Sequence, residues 1–324
     1  RLFVVHLEDV TKYYGDKRAL GPLSMDVEEG TTVGCLGLNG VGKTTLLRIL
    51  ACGLRPSSGV VEIGGLNVLD HPHEVRKRVG YLPELPPVYG DMPVGEYLAF
   101  VGRIKGMPSR GLAERIEEVE GITHLNEVHD VPTRHLSQGY RQRVGVAQAI
   151  IHDPDVLILD EPTHDLDPVQ IVEMRELIRA LQGTRTLLIS SHILPEISQT
   201  CDRLLILNDG LIVAAGSESE LRDRLMHRHV VTVTVAARPA GGPTDVATLL
   251  AALPAVTEVR SASEKEDEET YEVVAERDVR ADLSRALVEA GHDVLGLGRR
   301  ERELEALFVG LVGPGHGSSP GEGP

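Results

Sequence analysis

Thr32-Val33-Gly34-Cys35-Leu36-Gly37-Leu38-Asn39-Gly40-Val41-Gly42-Lys43-Thr44-Thr45-Leu46-Leu47-Arg48-Ile49-Leu50 joins an apolar run, a glycine-rich turn and a second apolar run. Glycines at 37 and 42, followed by Lys43 and Thr44, complete the pattern G-x-x-x-x-G-K-[ST]. The glycines let backbone N–H groups turn inward and cradle phosphate oxygens. Thr32 to Leu36 reads as a buried parallel strand, and Thr45 to Leu50 as the helix whose N-terminus faces the phosphates. Lys43 is expected along the β- and γ-phosphates of a nucleotide, with the Thr44 hydroxyl on Mg²⁺.

Further along, Val156-Leu157-Ile158-Leu159 is a second buried strand that closes on Asp160-Glu161. The two carboxylates are expected at its carboxyl end, beside the phosphate loop. There the first can hold Mg²⁺ through water, and the second can orient or deprotonate an attacking water. Leu136-Ser137-Gln138-Gly139 reads as an N-cap opening a helix over 138–151, and a capping serine is also a device for meeting a phosphate. Ser191-His192 follows the strand over 186–189, which puts His192 at the same sheet edge as Glu161.

In this order and spacing the set resembles the nucleotide-binding subunit of an ATP-binding-cassette (ABC) transporter, over roughly residues 2–225. The resemblance implies an α/β P-loop NTPase with a mixed sheet core, an antiparallel β subdomain and a helical subdomain at about 85–150. It implies ATP and Mg²⁺ as ligands, held by Asn39, Gly40, Val41, Gly42, Lys43, Thr44 and Thr45. Tyr14 fits the aromatic that stacks on adenine, and Ser137 and Gly139 fit the signature that caps the γ-phosphate held by an opposite subunit. His192 fits the switch histidine, and Leu166-Asp167 the loop crossing the dimer seam. Glu161, His192 and Glu84 are thereby the catalytic candidates, and Thr44, Asp160 and Glu84 the metal candidates.

Three positions depart from the commonest form of that pattern. Glu84 stands where many members carry a glutamine; a carboxylate there can still ligate the metal or accept a bond from water. Leu82-Pro83-Glu84 is common in subunits similar to those of ABC-2-type exporters, and a plain surface acid before a proline-rich bend is the other reading. Asp165 replaces a common glycine before the seam loop, and aspartate takes φ above zero less easily. Gln138 replaces the second glycine of the signature.

The chain has 324 residues, enough for two domains. Its net charge of −16, from 33 basic and 49 acidic residues, opposes binding to a nucleic-acid backbone or directly to an anionic membrane surface. Without Trp and with 3% aromatics it has little from which to build a base-stacking platform. No apolar stretch approaches the roughly 20 residues needed to span a bilayer, and none reads as a signal peptide. The first residue is Arg1, so the natural start is expected to lie upstream. Cys35, Cys52 and Cys201 have no paired or metal-like spacing and read as small buried apolar residues in a reduced compartment. His71-Pro72-His73 reads as a solvated loop.

Between Glu84 and Leu136 the spacing turns helical, with amphipathic helices expected over Val94–Ile104 and 109–119. Glu114, Glu117, Glu118 and Glu120 are placed on the wet faces of the second, and Pro83, Pro86 and Pro87 are taken as exposed stiffeners. By resemblance the cleft behind Glu84 receives a helix of a membrane subunit. After about residue 225 the motifs stop. A cationic bridge leads to strand, helix, strand, strand, helix and strand at His229–Ala236, 244–252, 256–261, 270–275, 278–290 and 294–297, then a last helix at 303–311. That order predicts a ferredoxin-like α+β domain over 229–312, with a disordered tail at 313–324. The acidic run at 264–269 reads as a solvated hairpin loop.

The expectation is thus an ATPase subunit over residues 1–225 that dimerises with a second copy or a homologous subunit around two ATP molecules. It would drive a separate transmembrane permease from the cytoplasmic face of the inner membrane, most simply in export. A soluble ABC-family ATPase and a hydrolysis-poor regulator are the competing readings.

Overall fold

A computed structural model describes residues 3–225, 229–236, 245–265 and 268–299. The chain divides into two compact units, the first running to Glu218 and the second beginning at Ser219. The expected helix at 303–311 and the tail at 313–324 lie outside the described residues, as do residues 226–228 of the bridge.

The first unit runs β1 (Phe3–Tyr14), β2 (Lys17–Glu28), β3 (Thr32–Leu36), α1 (Lys43–Leu50), β4 (Ser58–Ile63), β5 (Leu66–Asn67), α2 (Pro72–Arg78) and β6 (Val79–Leu82). There follow α3 (Val94–Ile104), α4 (Leu112–Thr123), α5 (Gln138–Ile150), β7 (Val156–Asp160), α6 (Pro168–Leu181), β8 (Thr186–Ser191), α7 (Leu194–Ser198), β9 (Arg203–Asn208), β10 (Leu211–Gly216) and α8 (Glu218–Leu225). The last of these spans the division between the units.

Two sheets carry this unit. One is antiparallel, in the order β2-β1-β4-β5; the other is six-stranded, in the order β10-β9-β3-β8-β7-β6. In the second, β9, β3, β8, β7 and β6 are parallel and β10 closes the edge antiparallel. Strands β3, β7 and β8 are buried at every residue, which is why they read as unbroken apolar runs rather than alternating ones. Being parallel, they all deliver their carboxyl ends to one edge, and the motif residues follow there. Leu46, Leu47, Ile49 and Leu50 of α1 pack with Val33, Ile158 and Leu188 of the sheet. The faces of α3, α4, α5 and α6 close on a second cluster that includes Leu157, Leu159, Leu187 and Ile189.

Several local expectations change. Helix α4 starts at Leu112 rather than 109, because Gly111 takes φ 84° at its N-cap, and it runs on to Thr123. Glu120 is buried rather than wet; its carboxylate meets Nδ1 of His129 at 2.8 Å. Pro83 and Pro86 are half-buried, and Pro86 packs on Gly145, leaving only Pro87 exposed. His71-Pro72-His73 is no loop: Pro72 sits in the first turn of α2, where its missing N–H costs nothing, with His71 as N-cap. Of the cysteines only Cys35 is fully buried, and none is in a disulfide among the described residues.

The second unit orders β11 (His229–Ala236), α9 (Val246–Ala251), β12 (Val256–Lys265), β13 (Glu268–Ala275), α10 (Arg280–Glu289) and β14 (Val294–Arg299). Its antiparallel sheet runs β12-β13-β11-β14, the ferredoxin-like arrangement. Val231, Val233, Val235, Tyr271 and Val273 form its core with Leu250, Leu283 and Leu287 of the helices. The acidic run is not a six-residue loop. The ladder extends into it from both sides, pairing residue 264 with Glu269 and 265 with Glu268, while residues 266 and 267 lie outside the described ones.

Just beyond α5, His152 Nε2 donates to the Val79 carbonyl at 3.1 Å, and Lys105 Nζ donates to the same carbonyl. Burial and the nearby Lys105 push the His152 imidazole down to about 4 from 6.5, and burial lowers Lys105 to about 8. A depressed histidine stabilises the fold fully above its unfolded value and loses that contribution as pH falls toward the folded one. Denaturant unfolding is expected to show about 1–2 kcal/mol less stability at about pH 5 than at about pH 7 from this group. His152→Gln is expected to shrink that difference; an unchanged difference would mean that other groups carry it.

Candidate nucleotide site

The loop from Gly37 to Gly42 connects β3 to α1 and presents Leu38, Asn39 and Gly40 to solvent. Gly42, the N-cap of α1, has φ 109°, and a Cβ there would lie 2.6 Å from the Ala19 carbonyl oxygen. No other residue type fits that turn. Lys43 is buried, with Nζ donating to the carbonyls of Gly37 at 2.7 Å and Leu38 at 3.2 Å. It also stands 3.2 Å from Glu161 Oε1 as an ion pair. That contact lacks hydrogen-bond alignment, so Oε1 has no hydrogen-bond partner among the described residues.

Asp160 closes β7 and Glu161 follows it with φ 48°, a left-handed backbone rare for a glutamate. Asp160 Oδ1 accepts from Ser190 Oγ at 2.6 Å and from Thr44 Oγ1 at 3.2 Å. Its other oxygen, Oδ2, is buried with no hydrogen-bond partner among the described residues. Burial raises the Asp160 carboxyl above its ordinary value, partly offset by the hydroxyls of Ser190 and Thr44. Glu161 Oε2 meets His192 Nδ1 at 2.9 Å. The structure therefore brings Lys43, Thr44, Asp160, Glu161 and His192 together at one sheet edge.

Two expected residues stand apart from that group. Glu84 lies 3.7 Å from His164 Nε2 and makes no direct contact with Asp160 or Thr44, although its charge helps raise Asp160. Tyr14, half-exposed at the end of β1, has Lys12 Nζ 5.3 Å from its ring centre. Asp165 takes φ 57°, so it adopts the conformation for which glycine is common, and Asp167 caps α6 by accepting the N–H groups of Val169 and Gln170.

Ser137 caps α5 by accepting the Tyr140 N–H, and its side chain is on the surface. With Gly139, Tyr140, Arg143, Asp167 and Glu173 it lines an open cleft of about 600 Å³. None of residues 37–45, nor Asp160 or Glu161, lines that cleft.

Sequence reasoning missed a layer behind the site. Glu196 Oε2 accepts from Thr163 Oγ1 at 2.6 Å and Ser191 Oγ at 3.2 Å, while Ser191 Oγ accepts the Ile193 N–H. The loops after β7 and β8 are thus tied together around Glu161 and His192. The available signal was Ser190-Ser191, two hydroxyls closing an otherwise apolar strand.

A phosphate loop facing paired carboxylates on a parallel sheet defines a P-loop nucleotide hydrolase. Residues 20–164 match the family model described as ABC transporter. The bacitracin transport ATP-binding protein BcrA of Bacillus licheniformis is 32% identical over 319 residues, covering 96% of this chain and 98% of that protein. The Nod factor export ATP-binding protein I of Ralstonia nicotianae is 36% identical over 219 residues, 67% of this chain and 68% of that protein. Among solved structures, an ATP-binding subunit of an ABC transporter superposes with a TM-score of 0.62 at 27% identity, covering 68% of this chain and 92% of that one. The dimeric cassette MJ0796 has the same fold, with a TM-score of 0.60 at 24% identity and coverage of 66% and 98%. The chain belongs to the family of ABC transporter ATP-binding proteins. It is the ATP-binding, ATP-hydrolysing subunit of such a transporter.

Lys43→Ala removes the one cation that faces both the loop carbonyls and Glu161. Losing charge-assisted contacts to phosphate is expected to weaken ATP binding by at least about 100-fold in a fluorescent-nucleotide titration. Binding within a few-fold of the wild type would remove Lys43 from the site.

Proposed function

We propose that two copies close around two ATP molecules, each held between the phosphate loop of one copy and the Ser137 end of α5 of the other. The observation that carries this reading is the separation of Ser137 from its own loop: an exposed helix cap borders a cleft that no phosphate-loop residue reaches. A helix N-terminus with a capping hydroxyl suits a γ-phosphate supplied from outside.

Within one copy, residues 39–45 cradle the phosphates and Lys43 turns from its own carbonyls to the β- and γ-oxygens. Tyr14 offers its ring to the adenine. The residues present fit Mg²⁺: Asp160 Oδ2 is a buried carboxylate oxygen without a partner, and Thr44 Oγ1 stands beside the same carboxylate. These two would hold the ion, which supplies charge neutralisation on the β- and γ-phosphates. Glu161, oriented by His192 through Oε2, takes the proton of the attacking water; His192 also reaches the γ-phosphate. Glu84, paired with His164, completes the acidic rim. A hydrolysis-poor regulator has less support, since Asp165 already adopts the left-handed backbone that raised that doubt.

The coupled process is export through a separate transmembrane permease. Support comes from the relatives named for bacitracin transport and Nod factor export, the first of them similar over nearly its whole length. No helix among the described residues is long and apolar enough to cross a membrane. In this reading the permease holds the subunit at the cytoplasmic face, docking near Glu84 and the proline-rich entry to α3.

Glu161→Gln is expected to cut turnover by about 100-fold or more while trapping an ATP-dependent dimer on size-exclusion chromatography. Complementation tests the geometry. Lys43→Ala and Ser137→Arg proteins, each inactive alone, should regain a measurable part of the ATPase rate when mixed, because one composite site per mixed dimer is intact. Activity that never returns, with mixed dimers demonstrably formed, rules out the shared site.

A further inference from the structure

We propose that Ser190 is a positioning residue for hydrolysis: its hydroxyl selects which oxygen of Asp160 faces the metal and pins the left-handed backbone that aims Glu161. This rests on the roles given above to Asp160 and Glu161, and goes beyond them to a side chain that touches neither nucleotide nor metal.

Ser190 lies on β8, fully buried, paired across the sheet with Asp160 on one side and Cys35 on the other. Side chains alternate along a strand, so the two adjacent serines serve opposite faces. Ser191 turns to Glu196, and Ser190 turns to Asp160. A hydroxyl has one proton and can accept as well. Here both capacities are spent, and their direction is forced: the Glu161 N–H can only donate, to Ser190 Oγ at 2.9 Å, so the serine proton goes to Asp160 Oδ1 at 2.6 Å.

Two consequences follow. With Thr44 Oγ1 also on Oδ1, the Ser190 and Thr44 hydroxyls meet one oxygen; the Tyr81 phenol stands close to the same carboxylate, but Oδ2 has no hydrogen-bond partner among the described residues. The carboxylate plane is then set by two points before any cation arrives. The second consequence concerns the backbone. Glu161 has φ 48°, a conformation that persists only when its surroundings over-determine it. The Ser190 hydroxyl takes the N–H of that very residue, and His192 takes the far end of its side chain. Glu161 is therefore held at both ends, with Ser190 as its inner anchor.

Ser190→Ala deletes one oxygen and leaves the strand ladder untouched; Ser190→Thr restores the hydroxyl. Three measurements separate positioning from mere packing: fluorescent-nucleotide affinity in EDTA, Mn²⁺ affinity of the nucleotide complex by electron paramagnetic resonance, and kcat at saturating metal. For S190A, affinity in EDTA is expected within about twofold of the wild type, since the serine touches no phosphate. Mn²⁺ binding should weaken by about 10-fold or more, as for other groups that orient a metal ligand. At saturating metal kcat should fall by a further 10- to 100-fold, on the order expected when a reacting group is misplaced by about 1 Å. S190T should recover both losses to within a few-fold. Wild-type Mn²⁺ affinity and kcat in S190A would overturn the proposal, and so would equal losses in S190A and S190T. Asp160→Asn distinguishes the levels: if it leaves Mn²⁺ binding unchanged, the role of Asp160 itself falls and this inference with it. If D160N weakens the metal and S190A does not, this inference alone falls.

Discussion

Three charges meet inside the protein at the carboxyl edge of the central sheet, and the site depends on how they are balanced. Lys43, Asp160 and Glu161 are each buried, one positive against two negative. Burying such groups is costly unless each is paired and hydrogen-bonded. Glu161 has Lys43 on one oxygen and His192 on the other, whereas Asp160 has only hydroxyls, and only on Oδ1. The arrangement carries net negative charge with one bare carboxylate oxygen. In the proposed reading, a cation held by Asp160 and a polyphosphate met by Lys43 would balance it.

Keeping that imbalance in place requires rigid supports, and the parallel sheet supplies them. Strands β3, β7 and β8 are neighbours, so the phosphate loop, the carboxylates and His192 leave the sheet side by side although they are far apart in sequence. Hydroxyls then lock the exits. Ser190 joins the end of β7 to β8 on one face, and Ser191, Thr163 and Glu196 join the following loops on the other. The hydroxyls of Ser190 and Ser191 each donate one bond and accept another within the protein, which suits a framework.

Where sequence reasoning failed, it failed for tertiary reasons. Glu120 falls at a position whose helical phase reads as solvent-facing, yet His129 folds over it. Pro86 sits in a proline-rich bend read as exposed, yet a glycine at 145 leaves a hollow that its ring fills. The acidic run at 264–269 reads as a loop because like charges favour solvent, yet the ladder takes in residues 264 and 265 on one side and 268 and 269 on the other. Local pattern reports what a segment prefers alone, and each of these was settled by a partner distant in the chain. Glu84 shows the same limit at the site: its motif position is plain, but the structure pairs it with His164 rather than with Asp160 or Thr44.

What the sequence determined by itself was the chemistry. The spacing of Gly37, Gly42, Lys43 and Thr44, the apolar strand ending in Asp160-Glu161 and the serine cap at 137 are local patterns, and their meaning lies in local geometry: a turn, a strand end, a helix start. The ferredoxin-like sheet was likewise legible, because alternation and order are properties of the chain, whereas the antiparallel subdomain followed from the family resemblance. Only the tertiary structure decided which oxygen of Asp160 lacks a hydrogen-bond partner, that Asp165 and Glu161 adopt left-handed backbones, and that Ser190 joins the Asp160 carboxylate to the Glu161 backbone N–H. The last of these depends on a hydroxyl meeting a carboxylate 30 residues away across a sheet, at hydrogen-bond range. Such a contact exists only once the strands have paired; along the chain its one trace is the pair of serines closing an apolar strand at 190–191.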